Sequence, residues 1–197
     1  FQEELIWYIF PLVAFDLILP RRHLLLENHA DSPSALVVLW QLACSLFWYD
    51  VLFFFLHAFL HLGPGFLWGS GSKSGGVKES VGWLYRTIHA KHHSQPHLRA
   101  CEAVRHTFLD GSMTVGCSIL ALKLAGSHPL ARALHNIVLI GLLTELHAGY
   151  DLPWALHNVM PAGILGGPPR HDDHHRTGTR YYQQLGTYLD WFFVLDI

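Results

Sequence analysis

The chain has 197 residues, of which 51% are apolar and 14% charged, against about 25% charged in an average soluble domain. Its formal net charge of −2 and scattered basic residues argue against a nucleic-acid partner. Cys44, Cys101 and Cys117 lie far apart without CxxC spacing, which excludes a zinc ribbon and a disulfide framework. The length suits a single domain, 1–197. What the chain has in excess is histidine, 16 residues of it.

Three or four stretches are apolar enough to cross a bilayer, which takes about 20 helical residues. The first, 5–19, is interrupted by Pro11 and Asp16, and the second, 35–61, holds Gln41 and Asp50. The third and fourth cover 107–125 and 129–148, joined through Gly126-Ser127-His128-Pro129, a tight-turn sequence. The expected fold is all-α: an integral membrane bundle of about four helices with a cytoplasmic histidine-rich helical cap. A polar segment, 63–105, separates the second and third spans, and its Gly69–Gly76 stretch has the composition of a flexible linker. The tail after Tyr150, rich in Pro, Gly, His and Arg, is expected to cap the bundle outside the lipid. Lys73, Lys78, Arg86, Lys91, Arg99 and Arg105 in the polar segment, with Arg170, Arg176 and Arg180 in the tail, put both on the cytoplasmic side. Arg21 and Arg22 then fall on the opposite side, against the rule.

Three histidine clusters stand in order along this framework: His57-Ala-Phe-Leu-His61, His89-Ala-Lys-His92-His93 and His171-Asp-Asp-His174-His175. Residues three or four apart share a helix face, so two imidazoles so placed can reach one metal or a close pair of metals. A single HxxxH suits packing as well as it suits a metal; three clusters in one chain favour a metal. Imidazole accepts iron, copper, nickel or zinc, so the ligands alone leave the ion open. His106, before the third span, and His147, at the end of the fourth, fall on the same membrane face. The predicted ligand set is therefore His57, His61, His89, His92, His93, His106, His147, His171, His174 and His175. His128 and His135 belong near the far face, His23, His29 and His97 have no patterned partner, and His157 fits either reading.

Metal-bound imidazoles pass their free N–H to an acceptor, and the carboxylates of Asp50, Glu102, Asp151, Asp172 and Asp173 are the predicted acceptors. Asp50 draws notice because an acid inside an apolar span is costly. Trp40, Phe47, Trp48, Phe53, Phe54 and Phe55 could line a lipid tunnel or simply face bilayer and core.

These boxes resemble the fatty acid hydroxylase/sterol desaturase superfamily, and the likeness extends beyond histidine. Trp83-Leu-Tyr-Arg-Thr-Ile-His-Ala-Lys-His-His93, and Asp50 seven residues before His57, look like boxes of the cholesterol 25-hydroxylases. His147-Ala-Gly-Tyr-Asp-Leu-Pro-Trp154 resembles a stretch shared with the C-4 methylsterol oxidases, and Pro168–His175 with Gly186–Asp190 fits the end of both. About twenty residues, 62–81, look like an inserted flexible loop; Arg170 and Phe53 stand where relatives carry histidine, and Asp173 where they carry an apolar residue. The resemblance implies two iron ions, O2, and electrons from a cytochrome b5 or NAD(P)H-linked reductase acting as redox partner. It implies a lipid substrate drawn from the bilayer, a sterol ahead of a fatty acyl or ceramide chain, hydroxylated or desaturated at a C–H bond. It also implies the endoplasmic reticulum, with the site facing the cytosol. A divalent metal transporter and a non-catalytic subunit that keeps the fold are the competing expectations.

Overall fold

A computed structural model of the chain describes residues 32–63, 82–95 and 97–193, with 6, 9–11, 13, 14 and 17 near the N-terminus. The longest apolar run folds as helix α1, Ala35–Leu62. Ser34 starts it, its hydroxyl accepting from the Val37 amide, and Gly63 stops it in a left-handed conformation (φ 71°). Helix α2, Phe108–Leu124, is capped by Thr107, which accepts from the Asp110 amide and donates to the Ile88 carbonyl. Helix α3, Pro129–Leu146, has proline in its first turn and the His128 ring accepting from the Leu130 amide. Gly126 (φ 57°) turns the chain between α2 and α3. Gln41 of α1 clamps that turn, donating to the Gly126 carbonyl (3.1 Å) and accepting from the His128 amide (3.0 Å).

Three of the four predicted spans thus appear as helices, their ends within two residues of the sequence limits. α1 and α3 are long and apolar enough to cross a membrane. α2 differs from expectation: its 17 residues reach about 25 Å, short of a hydrocarbon core of about 30 Å. The predicted span 5–19 falls largely, and the predicted insertion 62–81 almost entirely, outside the described residues.

α1 packs against both other long helices, and the core forms where they meet. Tyr49 and Phe53 of α1 lie with Ala121 of α2 and Leu139, Leu143 and Leu146 of α3, all buried. His135 is completely buried in this seam, its two ring nitrogens 2.9 Å from the Ser45 hydroxyl and 3.1 Å from the Ser118 hydroxyl. It ties the three helices together, far in the fold from the other buried histidines.

Past α3 the tail turns back over one end of the bundle. It carries the single turn α4 (Leu156–Val159), then α5 (Gly167–Thr177) and α6 (Tyr188–Phe192). Gly178, left-handed at φ 65°, ends α5, its amide bonded to the His174 carbonyl. No strand occurs among the described residues; one isolated bridge joins Leu165 to Gly186. A carboxylate buried in α1 fastens the tail down. Asp50 accepts from the amides of Leu185 and Gly186, from Gln183 Nε2 and from the Tyr188 hydroxyl.

Candidate metal centre

Four elements bring histidine to one place. α1 contributes His57 and His61, one turn apart in its last two turns. The Trp83–Ser94 stretch begins helical, widens into a π-helical turn over Tyr85–His89 and tightens into a 3₁₀ turn over His92–Ser94. Such irregular turns rotate successive side chains away from the α-helical spacing, and here they aim His89, His92 and His93 inward. His147 caps the C-terminus of α3, and α5 presents His171, His174 and His175 at i, i+3 and i+4.

Nine of the ten predicted ligands sort into two groups. His57, His61, His89, His93 and His174 form one, and His92, His147, His171 and His175 the other, with candidate donor atoms within 4.8 Å of one another in each. The groups adjoin, His93 stacking on His175 with ring centroids 4.4 Å apart. All nine side chains are buried or nearly so.

The nitrogens face one another rather than protein donors. His89 Nε2 lies 3.0 Å from His57 Nε2 and 3.1 Å from His93 Nε2; His171 Nε2 lies 3.0 Å from His147 Nε2 and 3.1 Å from His175 Nε2. Two nitrogens bound cis to one ion at about 2.1 Å are themselves about 3.0 Å apart. The opposite ring edges fix the tautomers. Nδ1 of His57 donates to the Tyr182 carbonyl (2.7 Å), that of His174 to the Arg180 carbonyl (2.6 Å), and that of His147 to the Leu143 carbonyl (2.7 Å). With Nδ1 carrying the proton, Nε2 is left as a lone pair aimed into the cluster. His61 Nε2 and His174 Nε2 are buried with no hydrogen-bond partner. A knot of neutral imidazoles with inward lone pairs fits divalent transition metals.

Burial, reinforced by the neighbouring imidazoles, holds His92, His93, His171 and His175 well below the ordinary histidine range. Burial brings His147 down to about 4 and His174 to about 3, against the pull of the carbonyls that accept from their Nδ1. These six rings are therefore unprotonated at neutral pH, as ligands must be.

His106 lies outside both groups. It stacks on His92 (4.7 Å, 10° between planes), but Nδ1 lies 3.0 Å from Asp110 and Nε2 3.1 Å from the Ala103 carbonyl. Both nitrogens are engaged by oxygen, and the ring belongs to neither group.

The five predicted carboxylates each have partners of their own. Asp50 holds the 183–188 loop, Glu102 pairs with Arg105 (3.3 Å), and Asp151 accepts from His157 and Asn158. Asp172 lies 4.0 Å from Arg176, and Asp173 pairs with Arg176 and Arg180. The acid that meets the cluster is Asp110, in the first turn of α2. Its Oδ2 lies 2.9 Å from His89 Nδ1 and 3.0 Å from His106 Nδ1. Sequence reasoning missed it; the one available signal was its place one helical turn after His106 at the mouth of an apolar span.

Comparison with known proteins agrees with this centre. Residues 42–194 match the fatty acid hydroxylase family, a stretch that holds every histidine of both groups. The chain belongs to that family. Over 165 residues, 83% of the chain and 58% of the relative, it is 33% identical to a cholesterol 25-hydroxylase-like protein of Danio rerio. It is 30% identical to the cholesterol 25-hydroxylase of Homo sapiens over 146 residues, 74% of the chain and 47% of that protein. A methylsterol monooxygenase of Aspergillus fumigatus is 28% identical over 176 residues, 87% of the chain and 52% of the relative. The chain thus spans about half the length of the curated relatives it matches. No solved structure matches.

Proposed function

We propose that this chain forms the catalytic part of a membrane-bound oxygenase that hydroxylates or oxidises a C–H bond of a lipid, a sterol first. The observation that carries the reading is the pair of adjoining histidine groups, five imidazoles beside four, with inward lone pairs. Two irons are the ions that the family's chemistry calls for, one per group. When bound they would supply the redox change needed to activate O2 against an unactivated C–H bond, which zinc cannot.

The chain's own residues prepare that chemistry. The carbonyls of Tyr182, Arg180 and Leu143 and the Asp110 carboxylate hold four rings in the tautomer that leaves Nε2 free. The tail, pinned through Asp50, covers the cluster and excludes bulk water. Both groups gather at one end of α1 and α3, where an apolar substrate can arrive from lipid while protons and electrons arrive from water. This one-ended gathering favours an oxygenase over a metal path across the membrane. The electrons would come from a cytochrome b5 or an NAD(P)H-linked reductase, and the centre would face the cytosol from the endoplasmic reticulum.

The test is the metal content of the purified, detergent-solubilised protein, beside His92→Ala and His174→Ala, one from each group. About two irons per chain, reduced in each variant, support the reading and direct a substrate screen to sterols. Metal content indifferent to both substitutions overturns it.

A further inference from the structure

A cavity of about 270 Å³ lies between α1, α3 and the tail, with Leu146, the residue before His147, on its wall. Its walls are apolar: Leu46 and Phe47 from α1, Leu142 and Leu146 from α3, Leu165 and Leu185 from the tail. It is smaller than the roughly 300–1,000 Å³ of pockets that enclose a whole drug-sized ligand, so it takes one end of a longer molecule. Four side chains with polar tips line it: Asp50, Glu145, His157 and Tyr188. Three are already engaged, Asp50 by the 183–188 loop, Tyr188 by Asp50 and His157 by Asp151. Glu145 is half-buried and makes no side-chain hydrogen bond or ion pair among the described residues. A half-buried carboxylate beside apolar walls, without a protein partner, can accept from a donor that enters the cavity.

The cavity also has an apolar approach. Residues 152–169 contain no Asp, Glu, Lys or Arg. Trp154, Leu156, Val159 and Met160 on this stretch are exposed, as are Ile137 and Ile140 of α3. An uncharged rim carrying an aromatic residue beside an apolar helix is the composition of a membrane–water boundary.

We infer that this cavity receives the hydroxyl-bearing end of an apolar lipid and that the Glu145 carboxylate selects it by accepting a hydrogen bond from the hydroxyl. The inference rests on the lipid-oxygenase reading for its substrate class and adds to it the feature by which the substrate is chosen. Oxygens bearing charge make the stronger hydrogen bonds, and a partner lost inside an apolar pocket discriminates more than a methylene does. Glu145 is therefore a specificity residue rather than a metal ligand.

The test is equilibrium binding of radiolabelled cholesterol, and of the same hydrocarbon lacking its 3-hydroxyl, to the detergent-solubilised protein. The intact chain should prefer cholesterol by roughly 10-fold or more. Glu145→Leu should erase the preference while leaving the weaker hydrocarbon affinity, and Glu145→Gln, which keeps shape and an acceptor, should reduce it in part. Leu142→Trp, which fills the cavity, should weaken both ligands. A preference that survives Glu145→Leu, a chain that never prefers the hydroxyl, or binding untouched by Leu142→Trp would each overturn the inference. Binding requires no turnover, so the two readings fail separately. Glu145-dependent binding without iron sinks only the oxygenase, and iron-dependent lipid oxidation with selectivity indifferent to Glu145 sinks only this inference.

Discussion

Asp110 accepts from two imidazoles with one oxygen, and only one of those imidazoles faces the cluster. Its bond to His89 Nδ1 sets the tautomer that frees His89 Nε2, and its bond to His106 holds a ring that supports His92 by stacking. Loss of such a supporting acceptor commonly lowers metal affinity about 10- to 100-fold. Asp110→Asn is expected to do so while the fold survives, because the amide is isosteric and can still accept one bond. His106→Ala should lower metal affinity by less, whereas His89→Ala should lower it by more. A chelator competition titration ranks the three. Equal losses in His106→Ala and His89→Ala would make His106 a ligand after all.

At the scale of elements, the decisive placements are local and easily disturbed. α5 begins at Gly167, whose φ of 63° lies in the left-handed region, and a Cβ there would run into the His157 imidazole. Gly167→Ala is expected to cost about 1–3 kcal/mol in backbone strain alone, with the clash added. Because α5 carries His171, His174 and His175, the shift should appear as lower iron occupancy as well as a lower melting midpoint; unchanged occupancy would show that α5 is held from its other end. The three long helices were legible from sequence because their apolar runs are long, and Gly126-Ser127-His128-Pro129 marks the turn between the last two. The histidine boxes were legible because their spacing is local. The supporting acid was not, since Asp110 meets His89 across 21 residues and an irregular π turn. The partners of Asp50 were hidden for a related reason. An acid in an apolar helix signals a partner, but these are the Leu185 and Gly186 amides, Gln183 and Tyr188, far along the chain.

At the scale of the molecule, the same buried imidazoles that favour metal make the metal-free protein sensitive to acid. An unfolded chain takes up protons on histidine as pH falls through about 6.5. In the folded chain burial postpones that uptake, to about 4 for His147 and about 3 for His174, and also holds His92, His93, His171 and His175 low. Between these limits the unfolded state binds more protons, so stability falls with falling pH. The stability these histidines confer is complete above pH 6.5 and is lost as pH drops from there through about 4. Each such group removes at most about 1.4 kcal/mol per pH unit. Bound metal acts in the opposite direction, because it binds the folded state and requires neutral imidazole. The chelator-treated protein should therefore show a melting midpoint that falls steadily from pH 6.5 to pH 4. The iron-loaded protein should start higher and hold its midpoint until protons displace the metal near the lower end of that window. Thermal unfolding followed by intrinsic fluorescence, with and without chelator, separates the curves. A flat metal-free curve across that interval would mean that the histidines reach water, and the two buried groups could not then be as the fold places them.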